Sequence, residues 1–145
     1  MARFLYDTNV FVYALGGEHP YREPCRAILR GQGEGALAGE VTTVLLAELA
    51  HQRFRQTRDR SEAALRARET GRACLVHEVA VADGELALEL YRDTNALDAF
   101  DALLAAVGLN RDVTTVVSAD RAFDALEGLT RIDPLDEAGL RSLAG

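Results

Sequence analysis

"RFLYDTNVFVYAL", residues 3–15, sets a carboxylate at the end of a short apolar run, follows it with Thr8 and Asn9, and then returns to apolar residues. Residues 3–6 read as a buried strand and residues 8–15 as the helix that follows it, with Asp7 or Thr8 at the cap. An acid in that position needs a partner, because even a neutral polar group buried without one costs about 2–7 kcal/mol. Asp7 therefore either caps the helix or faces a cleft that holds a positive charge. Taken singly, the two readings are level.

Working outward, the chain alternates strand and helix. A helix is expected over 21–30, ended by the Gly-rich "GQGEG", then a weak strand over 36–41 and a helix over 42–56 behind a Thr cap. A charged helix spans about 60–70 and closes at Gly71; "CLVHEV" (74–79) is a strand, and 83–93 and 98–110 are helices. "TTVVS" (114–118) is β-branched and continuous, as buried parallel strands tend to be. A short helix over 119–126, an edge strand over 130–133 before Pro134 and a closing helix complete the pattern. Such alternation implies an α/β fold, a central parallel sheet covered on both faces, in one domain over 1–145.

In sheets of this kind the working crevice lies beyond the carboxyl ends of the strands. Asp7 ends the first strand and Asp120 follows "TTVVS", so the two acids converge on one sheet edge. Glu48, within "VLLAELA", and Asp101, within "DAFDALLAA", are acids in apolar surroundings. Four carboxylates around one crevice raise one another's pKa unless a cation compensates, and hard oxygen donors in that number suit Mg²⁺ or Mn²⁺. Two such ions about 3.5–4 Å apart activate a water and stabilise the leaving oxygen of a phosphodiester, so hydrolysis is the expected chemistry. No serine or cysteine stands in a readable triad or dyad. Each acid also has a bland role: Asp7 and Asp120 as helix caps, Glu48 as a surface residue, Asp98 and Asp101 as first-turn acids favouring the helix dipole.

Composition bounds the rest. The chain has 145 residues, 48% of them hydrophobic, which is enough for a sizeable core. No stretch approaches the ~20 apolar residues that span a bilayer, and the N-terminus has no basic segment followed by an apolar one, so the cytoplasm is expected. Cys25 and Cys74 lack metal-ligand spacing and read as buried thiols. A net charge of -7 argues against a general affinity for nucleic acid, but all 16 basic residues are arginine. Seven of them, Arg53, Arg55, Arg58, Arg60, Arg66, Arg68 and Arg72, fall between 53 and 72 against Asp59, Glu62 and Glu69. That segment is either an RNA-guiding surface, with Arg55, Arg58 and Arg60 as its candidates, or a solvated helix face with i,i+4 ion pairs.

With "YDTNVFVYAL", "VLLAEL" and "DAFDALLAAVGLNRDVTTVVSADRAFDAL" in view, the chain resembles the PIN-domain family, in particular the VapC-like toxins of prokaryotic toxin–antitoxin pairs. The resemblance implies a three-layer α/β/α domain, Mg²⁺- or Mn²⁺-dependent cleavage of RNA, a cognate antitoxin over the acidic cleft and frequent homodimers. It assigns Asp7, Glu48, Asp101 and Asp120 as catalytic metal ligands, with Asn9 and Ser118 orienting them. Asp98, three residues before Asp101 on the same helix face, is an alternative or additional third acid, and Asp124 has a smaller claim. His51, one turn after Glu48, reads as a helix-surface residue, His77 as part of a strand and His19 as a loop residue.

Two phosphoryl-transfer rivals fall on single residues. A haloacid-dehalogenase-type phosphatase needs a second aspartate where this chain has Asn9, and both it and a response-regulator receiver need a lysine, which is absent. The remaining rival is a non-catalytic PIN-like module that binds RNA or protein and keeps the acids as remnants.

Overall fold

The computed structural model describes residues 1–145. Five parallel strands, β1 (Phe4–Tyr6), β2 (Gly39–Thr42), β3 (Leu75–His77), β4 (Thr115–Val117) and β5 (Thr130–Ile132), form one sheet in the order β3-β2-β1-β4-β5. The strands are short because each needs only to cross the buried middle of the domain, and β1, the central one, is buried at every residue. Chain order reverses at β1: the path runs outward to β2 and β3, then returns to β4 on the other side. The crevice that such a reversal opens lies between the carboxyl ends of β1 and β4.

Alternation along the strands divides the core into two layers. Phe4, Tyr6, Val41, Val117 and Ile132 face α1 (Thr8–Leu15), α2 (Arg22–Gly33) and α3 (Thr43–Thr57), together with Leu143 of α7 (Glu137–Leu143). Leu5 and Val116 face the opposite way, onto Ala87 of α5 (Val81–Asp93) and Ala102, Leu104, Ala105 and Ala106 of α6 (Ala99–Asn110). The alanines of α6 let the helix approach the sheet closely. Gly39 serves the other layer: a Cβ there would lie 2.0 Å from the Tyr6 ring, which occupies its place.

Several expected boundaries move. The helix α4 (Arg60–Ala73) runs through Gly71 instead of closing there, because Gly71 lies against Leu46 of α3, where a Cβ would sit 3.2 Å from the Leu46 methyl. α2 likewise continues to Gly33; Gln32 is anchored by accepting from the Gly39 amide and the Tyr6 hydroxyl through Oε1. α5 starts at Val81, earlier than its sequence suggests, since its cap is supplied from inside: Asp83 Oδ2 accepts from the Ala80 amide at 2.7 Å. The expected helix over 119–126 is a single 3-10 segment, Arg121–Ala125. The strand expected over 36–41 shifts to Gly39–Thr42, taking Thr42 from the expected helix, and the strand over 74–79 contracts to Leu75–His77.

Away from the crevice, two ionic clusters tie elements together. Asp83, buried at the start of α5, takes two hydrogen bonds from Arg111 and one from Asn110, locking α5 to the end of α6. Glu40 of β2, also buried, takes a bidentate pair from Arg3 and lies 2.6 Å from His77 Nε2. Cys25 and Cys74 are buried, free thiols in the same core layer.

Candidate active site

Asp7 stands where the sheet opens. Its backbone N–H still donates to Val117 across the β1–β4 pair, at 3.0 Å, so the residue is the last of the ladder as well as the start of α1. The two roles weighed for it are divided between its oxygens. Oδ1 accepts from the Thr8 amide at 2.7 Å and caps α1, while Oδ2 accepts from Ser118 Oγ at 2.6 Å and from Asn9 Nδ2 at 3.1 Å. Asn9 Nδ2 also donates to Ser118 Oγ, and Asn9 Oδ1 accepts from the Ala119 amide at 3.4 Å, which fixes the orientation of the Asn9 amide group. Ser118 Oγ in turn accepts from the Asp120 amide. β1 and β4 are thus joined at their carboxyl ends by a side-chain lattice around one carboxylate.

The other acids arrive on separate elements. Thr42 caps α3 by accepting from the Leu45 amide, and the next turn carries Glu48 to the crevice. Asp98 caps α6 by accepting from the Asp101 amide at 2.7 Å, which starts the helix so that Asp101 points into the crevice from its first turn. Asp120 Oδ1 accepts from the Ala122 amide and caps the 3-10 segment. Asp7, Glu48 and Asp101 line a narrow cleft of ≈ 20 Å³ with Thr8, Thr42 and apolar walls that include Leu45, Phe100 and Leu104. That volume suits a water-sized guest.

Of the five acids, Glu48 and Asp101 neither cap a helix nor pair with a base, although Asp101 stands in the first turn of α6. Burial pushes the Asp101 carboxyl up to about 8, with further contributions from the negative charges of Asp98, Asp7 and Asp120. Burial also raises Glu48, helped by Asp7 and Asp98 and partly offset by the Thr8 hydroxyl. Asp7 is raised by burial against the opposing hydrogen bonds from Ser118 and Thr8. No arginine or histidine neutralises this group. Like-charged carboxylates held together without a counter-charge are unfavourable, and a cation relieves them.

The donors are therefore of the type a hard divalent cation takes, all of them carboxylate oxygens. They do not yet close around one: no group of three or more His, Cys, Asp or Glu side chains is drawn together tightly enough to hold a metal ion. Both Asp7 oxygens already carry donors from the protein.

Other candidates lie elsewhere. Asp124 is bound by Arg131 at 2.9 Å, so its claim on the site falls away. Sequence reading missed Arg131, which also donates to the Ser118 carbonyl at 2.9 Å and so supports the lattice around Asp7 from behind. Its one signal was an arginine inside the strand "TRI". The arginine segment divides: Arg53 and Arg66 are bound by Glu62, as a solvated helix face requires, whereas Arg55, Arg58 and Arg60 make no ion pair and sit where α3 turns into α4. His51 is exposed on α3, His77 pairs with Glu40, and His19 stacks on Tyr13 in the loop after α1.

The model of the PIN domain matches residues 4–129. The chain belongs to the PIN-domain family. Ribonuclease VapC7 of Mycobacterium tuberculosis is 40% identical over 141 residues, covering 96% of each chain. Among solved structures, a toxin–antitoxin complex from Klebsiella pneumoniae superposes with a TM-score of 0.68 at 13% identity, over 92% of this chain and 98% of that one. VapBC2 from Rickettsia felis, bound to a DNA fragment from its promoter, gives 0.65 at 15% identity over 90% and 98%. These superpositions show that the fold described above is shared. No helix in this PIN domain is long and apolar enough to cross a membrane.

Proposed function

We propose that this PIN-domain protein is a metal-dependent endoribonuclease that hydrolyses RNA phosphodiester bonds, acting in the cytoplasm as the toxin of a type II toxin–antitoxin pair. The observation that carries the reading is the cleft itself: Glu48 and Asp101, which neither cap a helix nor pair with a base, face Asp7 without a counter-charge at the topological switch point. Likeness to Ribonuclease VapC7 over nearly the whole length supports the activity. The toxin–antitoxin complexes among the structural neighbours support an antitoxin partner.

Asp7, Glu48, Asp101 and Asp120 would hold Mg²⁺ or Mn²⁺, with Asp98 at the margin. Bound there, the metal supplies a polarised water and charge stabilisation for the leaving oxygen. The remaining work belongs to the chain. Ser118 and Asn9 hold the Asp7 carboxylate in one orientation. Burial and the neighbouring carboxylates raise the Asp101 carboxyl, and a divalent cation held beside it would favour its ionised form. Phe100, Leu103 and Leu104 wall the cleft and reduce its hydration, which strengthens every charge interaction inside it. A homodimer has a ready surface in the groove of ≈ 450 Å³ beside the cleft, lined by exposed Val81, Leu88 and Phe100 with Glu85 as its one charge.

Cleavage of a pool of small structured RNAs tests the reading, with Mg²⁺, with Mn²⁺, with chelator and with Asp101→Asn. Cutting that requires the metal and disappears in the variant is the expected result. Folded, antitoxin-free protein that binds RNA equally well with and without metal and never cuts it would make this a binding module instead.

A further inference from the structure

We propose that the corner joining α3 to α4 is a docking site for the phosphate backbone of single-stranded RNA, connected to the acidic cleft by a track along α3. The proposal rests on the ribonuclease reading and extends it to a surface outside the cleft.

Arg58 ends α3 with φ 59 and ψ 18, the left-handed conformation that favours glycine at a helix end. An arginine there is a local strain, and strain of this kind points to a use for the side chain. Its guanidinium carbon lies 5.6 Å from the centroid of the Phe54 ring. The guanidinium of Arg60, from the first turn of α4, lies 5.1 Å from the same ring. One half-buried phenyl group therefore carries two cations from two helices. A guanidinium packed on a ring face keeps its N–H edge for an anion, and its planar fork matches phosphate.

The charge at this corner is not spent internally. Glu62, the nearest strong acceptor on α4, is taken by Arg53 and Arg66. Asp59, between the two stacked arginines, accepts from the Glu62 amide to cap α4. Arg55, Arg58 and Arg60 make no ion pair, so the surface keeps a positive excess in a chain whose net charge is -7.

The corner is also in line with the cleft. Glu48, His51 and Arg55 follow one another at spacings of three and four residues, a single stripe down α3, and Arg58 caps the end of the helix three residues further on. His51, Arg55 and Arg58 are all exposed. The seven residues from Glu48 to Arg55 rise about 10 Å, so a strand leaving the cleft along this stripe meets its first fixed cation within a few nucleotides. An acidic protein segment would also find arginines here, but the stripe's origin at the cleft favours the polyanion that must already enter it.

The test is binding of a short fluorescent single-stranded RNA of mixed sequence, in chelator so that nothing is cut, across a series of KCl concentrations. Wild type is compared with Arg58→Gly and with Arg55→Ala/Arg60→Ala. Arg58→Gly is expected to melt no lower than wild type, because glycine relieves the left-handed backbone, yet to bind RNA about 3–10-fold more weakly at low salt. Each lost phosphate contact should flatten the log–log salt slope by about 0.7. Undiminished stability with weaker, flatter binding is a combination that a merely structural arginine would not give. Unchanged affinity and slope in both variants, or no salt-dependent binding by wild type, overturns the proposal. Because cleavage of the structured RNA pool is measured separately, loss of this docking site and loss of the ribonuclease reading are told apart.

Discussion

Replacing Asp101 by asparagine should stabilise the metal-free protein while abolishing its function. Burial and the charges of Asp98, Asp7 and Asp120 raise the Asp101 carboxyl from 3.8 to about 8. At about 1.4 kcal/mol per pKa unit, that displacement sets an upper bound of roughly 6 kcal/mol on the penalty for ionising it in the fold. Asp98 is exposed and Asp101 itself only partly buried, so water screens part of the repulsion and a gain of about 1–3 kcal/mol is the working figure. For a domain of this size that is a rise in Tm of about 3–10 °C. The sign follows from linkage: an acid whose folded pKa is raised favours the folded state fully below its unfolded pKa, and that contribution is lost as pH rises toward the folded value. The advantage of Asp101→Asn should therefore be absent near pH 4, grow between pH 4 and 8, and level off above it. Thermal unfolding followed by circular dichroism in chelator, from acid to mildly alkaline pH, measures this directly. Added Mn²⁺ should raise the wild-type Tm and leave the variant almost unmoved. A variant that melts lower than wild type at pH 7.5, or a difference that ignores pH, would refute the claim that Asp101 is held against its charge.

Ser118→Ala removes the 2.6 Å donor to Asp7 and should lower activity about 10–100-fold, with far-UV circular dichroism unchanged; full activity would show that Asn9 alone orients the carboxylate. Arg111→Ala leaves buried Asp83 without its two guanidinium bonds and should destabilise the domain by about 3–5 kcal/mol, read as a fall in the urea midpoint. The same ion pair holds Asp83 well below the usual carboxylate range, so its contribution is present above an unfolded pKa of 3.8 and fades as pH falls beneath it. Leu88→Asp places a charge in the apolar groove on α5 and should convert a dimer to a monomer by light scattering, without loss of helix content. Burial pushes the Cys25 thiol up to about 12 and Cys74 to about 11, so neither should react with a maleimide until the protein unfolds.

Much of this molecule is legible in the chain alone. The apolar run ending at Asp7, the β-branched "TTVVS" and the alanine-rich helix after Asp98 carry their own periodicity, and their burial in the structure follows from it. The order of strands and helices, and the idea that acids at strand and helix ends meet, needed nothing more than alternation and the rule for open parallel sheets. The capping roles of Asp7 and Asp120 were likewise readable, because a cap acts on the next few residues of the same chain, whereas Asp98, read as a first-turn acid, is itself the cap of α6.

Only the tertiary structure decided which acids are spoken for. Asp124 and Asp120 lie four residues apart in sequence, yet Arg131 binds one and leaves the other beside the site, since the partner comes from a different strand. Glu48 and Asp101 stand out as free carboxylates only once every cap and ion pair around them has been assigned. The run of arginines was visible as composition, but its division into Arg53 and Arg66, consumed by Glu62, and Arg58 and Arg60, stacked on Phe54, depends on how α3 and α4 pack. Local order is written in neighbouring residues; the pairing of charges is set by distances between segments far apart in the chain, and those distances exist only in the folded molecule.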